Sequence, residues 1–425
     1  MTGLDAVPPP AGRLGRLGRV PLLAPLAVRD FRFVWLGESV SLFGDQFNTV
    51  ALAWLVLGLT GSGFALGVIL IAAAIPRGTF LLLGGVLSDR ISPRDLALVS
   101  NVVRAVLTTI VAGLVIGDRV ELWHLAAVGV VFGTVDAVFL PAINTLVPRL
   151  VPVERLAAAN GVMQGTAQLV GTVGPAVAGF AVALVGVGAA FAVDALTFAF
   201  AALMLWFVRS GGTVPAADDQ PAGSAPSIGA SLVEGARIVL GDPVMRSIVI
   251  LSTAANLAFT GTAVVGLPWL VLVRFGGDAL TLGFLFAAFG AGSLVGVLAA
   301  GSLPHPRRFG SIVLAFVLLE GVGLGAIGVA PSTAIIAVIL AVIGALNGWV
   351  NVVVIAWVQG RTDPEILGRT MSFLMLGSVV AAPLSLALAA VIIDTNATAL
   401  FLASAGLVIA SAAIALANGL QRRMV

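Results

Sequence analysis

"FVWLGESVSLFGDQFNTVALAWLVLGL" (residues 33–59) is an apolar stretch that contains two carboxylates, Glu38 and Asp45. It is long enough to cross a bilayer, because a spanning helix needs about 20 predominantly apolar residues. A charge at the bilayer centre costs at least about 2.5–3.5 kcal/mol on insertion scales. The stretch therefore predicts a membrane-spanning helix whose acidic face meets water or protein and not lipid.

The composition of the whole chain agrees with this interpretation. Of the 425 residues, 59% are hydrophobic and 10% are charged, and the mean hydropathy is +1.12. Soluble domains are about 25% charged, so these values are typical of a polytopic membrane protein. The chain has no cysteine, and its histidines, His124 and His305, lie far apart in the sequence. We therefore expect no disulfide and no metal site.

Polar or Gly/Pro-rich breaks separate twelve candidate spans, which are 33–59, 62–87, 96–116, 121–147, 156–184, 187–208, 244–273, 279–302, 309–329, 332–359, 368–393 and 397–418. The one long break, 209–242, starts with a composition typical of disorder and ends in a predicted short amphipathic helix on the membrane surface. The expected organisation is an N-terminal tail, a six-helix bundle, a linker, a second six-helix bundle and a C-terminal tail, at residues 1–32, 33–208, 209–242, 243–418 and 419–425.

The basic residues predict the orientation in the membrane. All 22 are arginines. When the N-terminus is placed in the cytoplasm, only Arg119 and Arg274 fall on the external side of the membrane. Arg77 and Arg104 lie within spans, and all the others fall on the cytoplasmic side. Because cytoplasmic loops are enriched in basic residues, both termini are expected in the cytoplasm. The scattered arginines form no basic stripe with interleaved aromatics, so we expect no nucleic-acid partner.

The two halves of the chain are similar to each other. "AWLVLGLTGSGFALGVIL" (53–70) matches "PWLVLVRFGGDALTLGFLF" (268–286), and "ANGVMQGTAQLVGTVGP" (159–175) matches "LGRTMSFLMLGSVVAAP" (367–383). Parallel repeats of six spans imply a pseudo-two-fold axis along the membrane normal. The predicted fold is therefore an all-α membrane protein of twelve transmembrane helices in two related bundles, with a substrate site between them.

The loop "GGVLSDRISPR" (84–94) resembles the signature between the second and third spans of the major facilitator superfamily. Gly85, Asp89, Arg90 and Arg94 match that signature, whereas a serine and a proline replace two of its usual residues. The resemblance extends over residues 30–420. It implies a charged cytoplasmic latch that holds the outward-facing state.

A second stretch, "GTVGPAVAG" (171–179), resembles the Gly-Pro motif of exporters in this superfamily through Gly171, Gly174, Pro175 and Gly179. The alternative is a bend in a glycine-rich membrane helix. Further short stretches are similar to one branch, the drug:proton antiporters that include macrolide-efflux and enterobactin-exporter-like proteins. The resemblance implies export of a bulky organic compound by alternating access.

Acidic residues inside the spans are the main functional candidates, since intramembrane ionisable groups are functional by default. Asp45 lies near the membrane midplane, and Glu38 is two turns nearer the cytoplasm on the same helix face. We interpret these two residues and Asp136 of the fourth span as candidates for proton coupling or for contact with a cationic substrate. Either Asp45 or Glu38 could be the main proton carrier. The alternative for Asp45 is a structural ion pair with Arg77 or Arg104.

The remaining intramembrane acids, Asp194 and Glu320, fall on the sixth and ninth spans, which support the bundles in this superfamily. We interpret Asp194, like Arg77 and Arg104, as a partner in pairing within the membrane, and Glu320 as structural. Polar side chains on the cavity-lining spans are the candidates for substrate contact, together with one tryptophan: Asn48, Thr49, Asn144, Asn256, Thr260, Asn347, Asn351 and Trp349. The spans that line the cavity in the second half carry no acid, so charge is expected mainly in the first half.

The functional prediction is a proton-coupled exporter of a bulky hydrophobic or amphipathic compound, such as a drug, antibiotic, siderophore or secondary metabolite. Its expected partners are a small-molecule substrate, protons and the lipid bilayer, and it is expected to act as a monomer in a bacterial cell membrane. A proton-coupled importer and a lipid flippase of the same fold stay open, and a receptor that transports nothing is a remote alternative. The sequence pairs no residues at catalytic spacing and contains no Gly-rich nucleotide loop, so neither an enzyme nor a cofactor is expected.

Overall fold

All regular secondary structure in the described residues is helical; in the computed structural model these residues are 21–209, 236–237, 239–302, 309–362 and 364–419. A short 3₁₀ helix, Pro21–Ala27, precedes the first long helix. The first four long helices are α1 (Arg29–Thr60), α2 (Gly63–Arg90), α3 (Pro93–Ile116) and α4 (Leu122–Leu150). Helix α1 thus begins before the predicted residue 33. Most of the predicted linker lies outside the described residues.

The next helical stretch, Val153–Trp206, has 54 residues and is interrupted at Gly186, whose φ of 83° and ψ of 169° are not helical. At 1.5 Å per residue a straight helix of this length would extend about 80 Å, more than twice the hydrocarbon core of a bilayer. Glycine reaches positive φ without a steric cost, so the chain can reverse here. We call the parts before and after Gly186 α5 and α6. The break falls between the fifth and sixth predicted spans.

The second half begins with α7, Pro243–Arg274, whose pitch changes along its length. It is α-helical over Pro243–Gly261, and wider π-helical turns then flank Leu267–Trp269. Pro268 has no N–H, and its ring crowds the carbonyl of the preceding turn, which gives a physical reason for the wide turns beside it. The helices that follow are α8 (Ala279–Ser302), α9 (Phe309–Val329), α10 (Thr333–Arg361), α11 (Pro364–Ile393) and α12 (Ala397–Ala417).

Helices at the periphery of the bundle turn an apolar face outward, as α3 shows. Its exposed residues include Val99, Val106 and Ile110, whereas Asn101 and Arg104 are buried. A soluble helix has the reverse arrangement. Ten helical stretches of the described residues are long and apolar enough to cross a membrane. One of them contains both α5 and α6, and α11, with 30 residues, adds a further span. The prediction of twelve transmembrane helices is therefore confirmed.

The helix contacts repeat between the halves. In the first half α1 packs on α5 and α6, α2 on α4, and α3 on α4 and α6. In the second half α7 packs on α11 and α12, α8 on α10, and α9 on α10 and α12. The contacts between halves obey the same rule, because α2 packs on α11 and α5 packs on α8. Adding six to each helix number, with the count returning to α1 after α12, reproduces the same list of helix contacts. A pseudo-two-fold axis requires this.

The halves meet at the end of the molecule that contains the α1–α2, α7–α8 and α11–α12 loops, opposite the start of α1 and the end of α12. We call this end the distal rim. There Asp394, beyond the end of α11, accepts hydrogen bonds from the backbone N–H groups of Gly63 (2.7 Å) and Phe64 (3.1 Å), across the boundary between the halves. The Ser62 hydroxyl and the Trp269 indole N–H (3.1 Å) donate to the same carboxylate. Asp394 therefore caps the N-terminus of α2 from the other half of the protein.

Candidate functional site

Helix α1 is the central element of the first half because it packs closely on α6. A side chain at Gly44 would collide with the hydroxyl of Thr197 and the carboxylate of Asp194, so the absence of a Cβ permits this approach. Glu38 and Asp45 are both half-buried, and Asp45 lies near the middle of α1. They are seven residues apart, so they share a helix face, as the spacing predicted.

Asp194 of α6 is fully buried against α1. Its carboxylate accepts a hydrogen bond from the Asn48 amide (3.0 Å) and one from the Thr197 hydroxyl (3.4 Å). The partner of Asp194 is therefore an amide of α1, inside the first half. Asn48, which the sequence placed only in a substrate cavity, also holds α1 against α6.

The two intramembrane arginines converge on Asp136 of α4. Arg104 of α3 forms an ion pair with it, and Arg77 of α2 lies 3.7 Å from its other carboxylate oxygen. The side chain of Arg104 is 4% exposed and that of Arg77 is 57% exposed. The ion pair suggested between Asp45 and one of these arginines is therefore not formed, because Asp136 occupies both.

An aromatic cage, made by Phe132, Phe139 and Phe198, surrounds the Arg104 guanidinium. The ring centroids lie 5.5, 4.0 and 5.5 Å from its central carbon. Cation–π contacts of this kind stabilise a desolvated cation. Sequence reasoning missed the cage, because its rings come from α4 and α6 and their spacing in the chain carries no signal.

The acids of the first half form one electrostatic group with these arginines. The charge of Arg104 acts on Glu38, Asp45 and Asp194, in addition to its contact with Asp136. Within the described residues, no ion pair or hydrogen bond links the carboxyl groups of Glu38 or Asp45 to another side chain. With every group ionised, four carboxylates face two guanidinium groups. The surplus negative charge is available to a proton or to a cationic ligand.

A cavity of about 350 Å³ opens beside this group. Asn48 and Thr49 of α1 line it together with Arg77, Thr108 and mainly apolar side chains. A second cavity of about 190 Å³ lies between the halves and shares Thr49 and Val264 with the first. Its walls include three phenylalanines of the second half: Phe259, Phe286 and Phe289. Polar groups of α1 thus face an aromatic surface across the boundary between the halves.

The glycines of the exporter-like motif lie where α5 meets other helices. Gly174 packs against the Gln46 side chain of α1, and Gly179 packs against the backbone of α8 at Ala279 and Gly283. Gly171 and Pro175 line the cavity between the halves. The motif therefore lies at the α5–α8 contact, which has to change if the halves move relative to each other.

The second half has its own cavity, of about 300 Å³, between α7, α9, α10 and α11. It contains three predicted substrate contacts, Asn256, Asn347 and Asn351, and it also contains Glu320. Glu320, which we interpret from the sequence as structural and place on a supporting span, therefore brings an acid to a cavity of the second half. It reaches this cavity from α9, between the neighbouring helices.

Three other predicted residues, Trp349, Asn144 and Thr260, line none of the three cavities described above. Trp349 is 9% exposed and packs edge-on against Phe316, with ring centroids 5.0 Å apart. Asn144 is exposed on α4, and Thr260 is half-buried on α7.

The predicted cytoplasmic latch is described only in part. The side chains of Asp89 and Arg90 and the surroundings of Gly85 lie outside the described part of the structure. Arg94 donates to the backbone carbonyls of Leu205 (3.0 Å) and Trp206 (2.7 Å) at the end of α6, and to the Asp95 carboxylate. These contacts of Arg94 all stay within the first half.

Comparison with known protein families adds independent information. The sequence model of the Major Facilitator Superfamily matches residues 34–319. The chain is 24% identical over 368 residues to macrolide efflux protein A of Streptococcus pyogenes, which covers 86% of this chain and 89% of that protein. It is 25% identical to multidrug efflux pump Tap of Mycolicibacterium fortuitum, over 83% of this chain and 86% of that protein. It is also 25% identical to enterobactin exporter EntS of Escherichia coli, over 80% of this chain and 79% of that protein.

Solved structures show the same fold at low sequence identity. The nucleoside transporter NupG superposes with a TM-score of 0.69 at 15% identity and covers 92% of this chain and 99% of its own. A bacterial homologue of the lysosomal transporter Spinster, in an inward-facing and occupied conformation, superposes with a TM-score of 0.63 at 14% identity. The match covers 93% of this chain and 96% of that one.

Proposed function

Because this chain belongs to the major facilitator superfamily, a family of membrane transporters, we propose that it is a proton-coupled exporter of a bulky organic compound. It works by alternating access in a bacterial cell membrane, with both termini in the cytoplasm. The efflux functions named for its relatives support the direction of transport. The observation that carries the proposal is the charge group of the first half, in which Asp136 takes both arginines while no described basic side chain forms an ion pair with Asp45 or Glu38.

Asp45 and Glu38 supply the coupling. An unpaired carboxylate among apolar helices is costly, and the cost falls when a proton or a cation neutralises it. Opening toward the acidic outside loads a proton, and opening toward the cytoplasm releases it. The substrate occupies the same region in the opposite phase, so inward proton flow drives outward substrate flow.

The cavities support an amphipathic substrate. The cavity beside the charge group and the cavity between the halves adjoin at Thr49 and Val264, so a ligand can extend across both. Hydroxyl and amide groups of α1 offer hydrogen bonds, and the Phe259 and Phe289 rings, stacked with centroids 4.9 Å apart, offer apolar contact. This combination is typical of small-molecule sites, in which a few polar groups fix the orientation.

A reconstituted system tests the proposal. The purified full chain is placed in liposomes with its cytoplasmic face outward, and the lumen is made acidic. A macrolide, ethidium and enterobactin serve as probes. We expect at least one probe to accumulate in the acidic lumen and to leave when the gradient is dissipated. Accumulation only against an alkaline lumen would indicate an importer, and transport of lipid alone would indicate a flippase; either result would contradict the proposal.

A further inference from the structure

Glu320 is a buried carboxylate to which the described part of the protein offers no counter-charge. Its residue is 6% exposed, and its Oε1 atom accepts no hydrogen bond from any described group. It lies in the middle of α9, eleven residues after the first residue, Phe309. Burying a charge without a partner costs several kcal/mol or more. A carboxylate in this position requires either a proton or a cationic ligand.

The cavity beside Glu320 has the shape and chemistry to hold such a ligand. Its volume is about 300 Å³, and Ser252, Asn256, Asn347 and Asn351 line it with hydroxyl and amide groups. The rest of the wall is apolar, with Val313 and Val317 from α9 and further aliphatic residues from α7 and α10. Glu320 is the one ionisable side chain among the described residues of this wall.

The pseudo-symmetry shows what is missing here. Arg104 and Glu320 both lie near the middle of helices that the pseudo-symmetry relates, α3 and α9. The partner of Arg104, Asp136, lies fourteen residues after the start of α4, the position of Asn347 in α10. The first half thus contains a complete ion pair, whereas in the second half a carboxylate and a neutral amide line one cavity. No described side chain of the second half supplies a counter-charge, which leaves this role to a proton or to a bound ligand.

We propose that the Glu320 cavity binds a protonated amine group of the transported compound. This inference rests on the proposed function and assigns to the exported substrates a cationic amine with apolar substituents. The ammonium N–H group donates to the Glu320 carboxylate, the amide oxygens of Asn347 and Asn351 are within the same cavity, and the valines contact the carbon substituents. Charge-assisted hydrogen bonds are stronger than neutral ones, so the carboxylate dominates recognition.

An inorganic cation fits the cavity less well. A divalent ion such as Ca²⁺ takes six to eight oxygen ligands, usually with several carboxylates, and Mg²⁺ retains water in an octahedral shell. The wall around Glu320 offers one carboxylate and is mainly aliphatic. An organic monocation uses both features.

A matched pair of fluorescent probes tests the inference. The first is a dansyl amide with a dimethylaminoethyl arm, which is cationic at neutral pH, and the second is the ethyl dansyl amide, which is neutral. Binding to the purified full chain is measured by energy transfer from its tryptophans. We expect the wild type to bind the cationic probe more tightly, and Glu320→Gln to weaken that binding by about tenfold or more while the affinity for the neutral probe changes less than about twofold.

Two controls make the result decisive. Glu154→Gln removes an exposed carboxylate at the start of α5 and should leave the affinities of both probes unchanged. Thermal unfolding of Glu320→Gln should occur at or above the wild-type temperature, because the substitution removes a buried charge.

Equal losses of affinity for both probes, or an unchanged preference for the cationic probe in Glu320→Gln, would overturn the inference. Proton-driven transport of a neutral compound by Glu320→Gln would support the proposed function whatever the outcome for the amine site. Absence of pH-driven transport in the wild type would refute the proposed function itself.

Discussion

Arg104 is a buried cation that several groups stabilise at once. Asp136 neutralises it, and three phenylalanine rings surround it. Removing one partner of a buried ion pair leaves the other charge uncompensated and is more damaging than replacing both with apolar residues. We therefore infer that Asp136 acts mainly by holding Arg104, and that the coupling function belongs to Asp45 and Glu38.

Asp136→Asn should consequently destabilise the protein, by roughly 3–5 kcal/mol. Asp136→Leu combined with Arg104→Met should recover most of this loss, because neither charge remains. The measurement is thermal unfolding of the purified protein in detergent. An unchanged midpoint in Asp136→Asn would show that the pair does not stabilise the fold.

Gly44 is the residue that sets the distance between α1 and α6. In Gly44→Ala the new methyl group collides with Thr197 and Asp194, so the helices separate and the hydrogen bond from Asn48 to Asp194 is lost. Gly58 in the same helix has no atom within 4 Å of the position that a Cβ would take, so Gly58→Ala is the matched control. We expect unfolding at a lower temperature for Gly44→Ala and little change for Gly58→Ala. Equal midpoints would contradict the close-packing account.

Single residues also show where sequence reasoning stopped. The shared face of Glu38 and Asp45 follows from their spacing on one helix. The pairing of Arg104 with Asp136 does not follow, because it depends on how α3 packs against α4, and Asp45 was an equally reasonable partner. The position of Glu320 in a cavity does not follow from the sequence, because it depends on how α9 packs against α7 and α10.

At the scale of helices, the distal rim is held by a carboxylate in the loop between α11 and α12. Asp394 accepts hydrogen bonds from the first residues of α2, in the other half, and from Trp269 of α7. Because these N–H groups lie at a helix N-terminus, a negative charge there is also favoured by the helix dipole. The contact exists only while the halves meet at this rim.

Asp394→Ala should shift the protein toward the conformation that is open at the distal rim. The chain has no cysteine, so spin labels can be placed at Arg119→Cys and Ala334→Cys, two exposed positions near this rim in different halves. We expect a larger population of long distances between the labels in Asp394→Ala than in the parent. An unchanged distance distribution would remove Asp394 from the closure of the rim.

The rim contact should not depend on pH in the range where proton coupling operates. Partial burial opposes ionisation of Asp394, but hydrogen bonds from Ser62, Phe64, Gly63 and Trp269 outweigh it and lower the pKa of its carboxyl. The stabilisation is therefore complete above the ordinary pKa of an aspartate and is lost only as the pH falls through the lowered value. The change in label distances between the parent and Asp394→Ala should therefore be the same at pH 5 and pH 8, and a smaller change at pH 5 would indicate that Asp394 titrates in this range.

Helix boundaries were predictable where local chemistry decides them. The break at Gly186 and the cap of α7 by Asp242, which accepts from the Val244 N–H (2.7 Å), both follow from residue type. The wide turns in α7 beside Pro268 were not predicted, because a proline can also kink or end a helix. The choice depends on the packing of α7 against α11 and α12.

For the whole molecule, the two halves share one architecture but differ in charge. The described spans of the first half contain Arg77, Arg104 and four acids. In the second half Glu320 lies in a cavity lined by amide side chains. The pseudo-symmetry was visible in the sequence because "WLVLGL" (54–59) and "WLVLVR" (269–274) occupy equivalent places. The sequence also predicted that charge lies mainly in the first half, but the position of Glu320 in a cavity of the second half became clear only from the structure.

The orientation predicted from the arginines can be tested with reporter fusions. Fusions within 209–225, 303–308 and 361–366 should report the cytoplasm, and those within 117–120 and 274–278 should report the outside, because basic loops stay in the cytoplasm. Equivalent loops of the two repeats have to lie on the same side. A single reversed site within this set would contradict the orientation and place the distal rim in the cytoplasm.

The central claim is that unpaired carboxylates of α1 couple substrate export to proton entry, and Asp45→Asn tests it most directly. Uphill transport of an identified substrate is measured in liposomes with an imposed pH gradient, beside Glu38→Gln and the exposed control Glu154→Gln. We predict that Asp45→Asn loses about tenfold or more of the pH-driven rate but still equilibrates substrate down its own gradient. Glu38→Gln should lose less, and Glu154→Gln should match the wild type. Full proton-driven export by a stably folded Asp45→Asn protein would contradict the account.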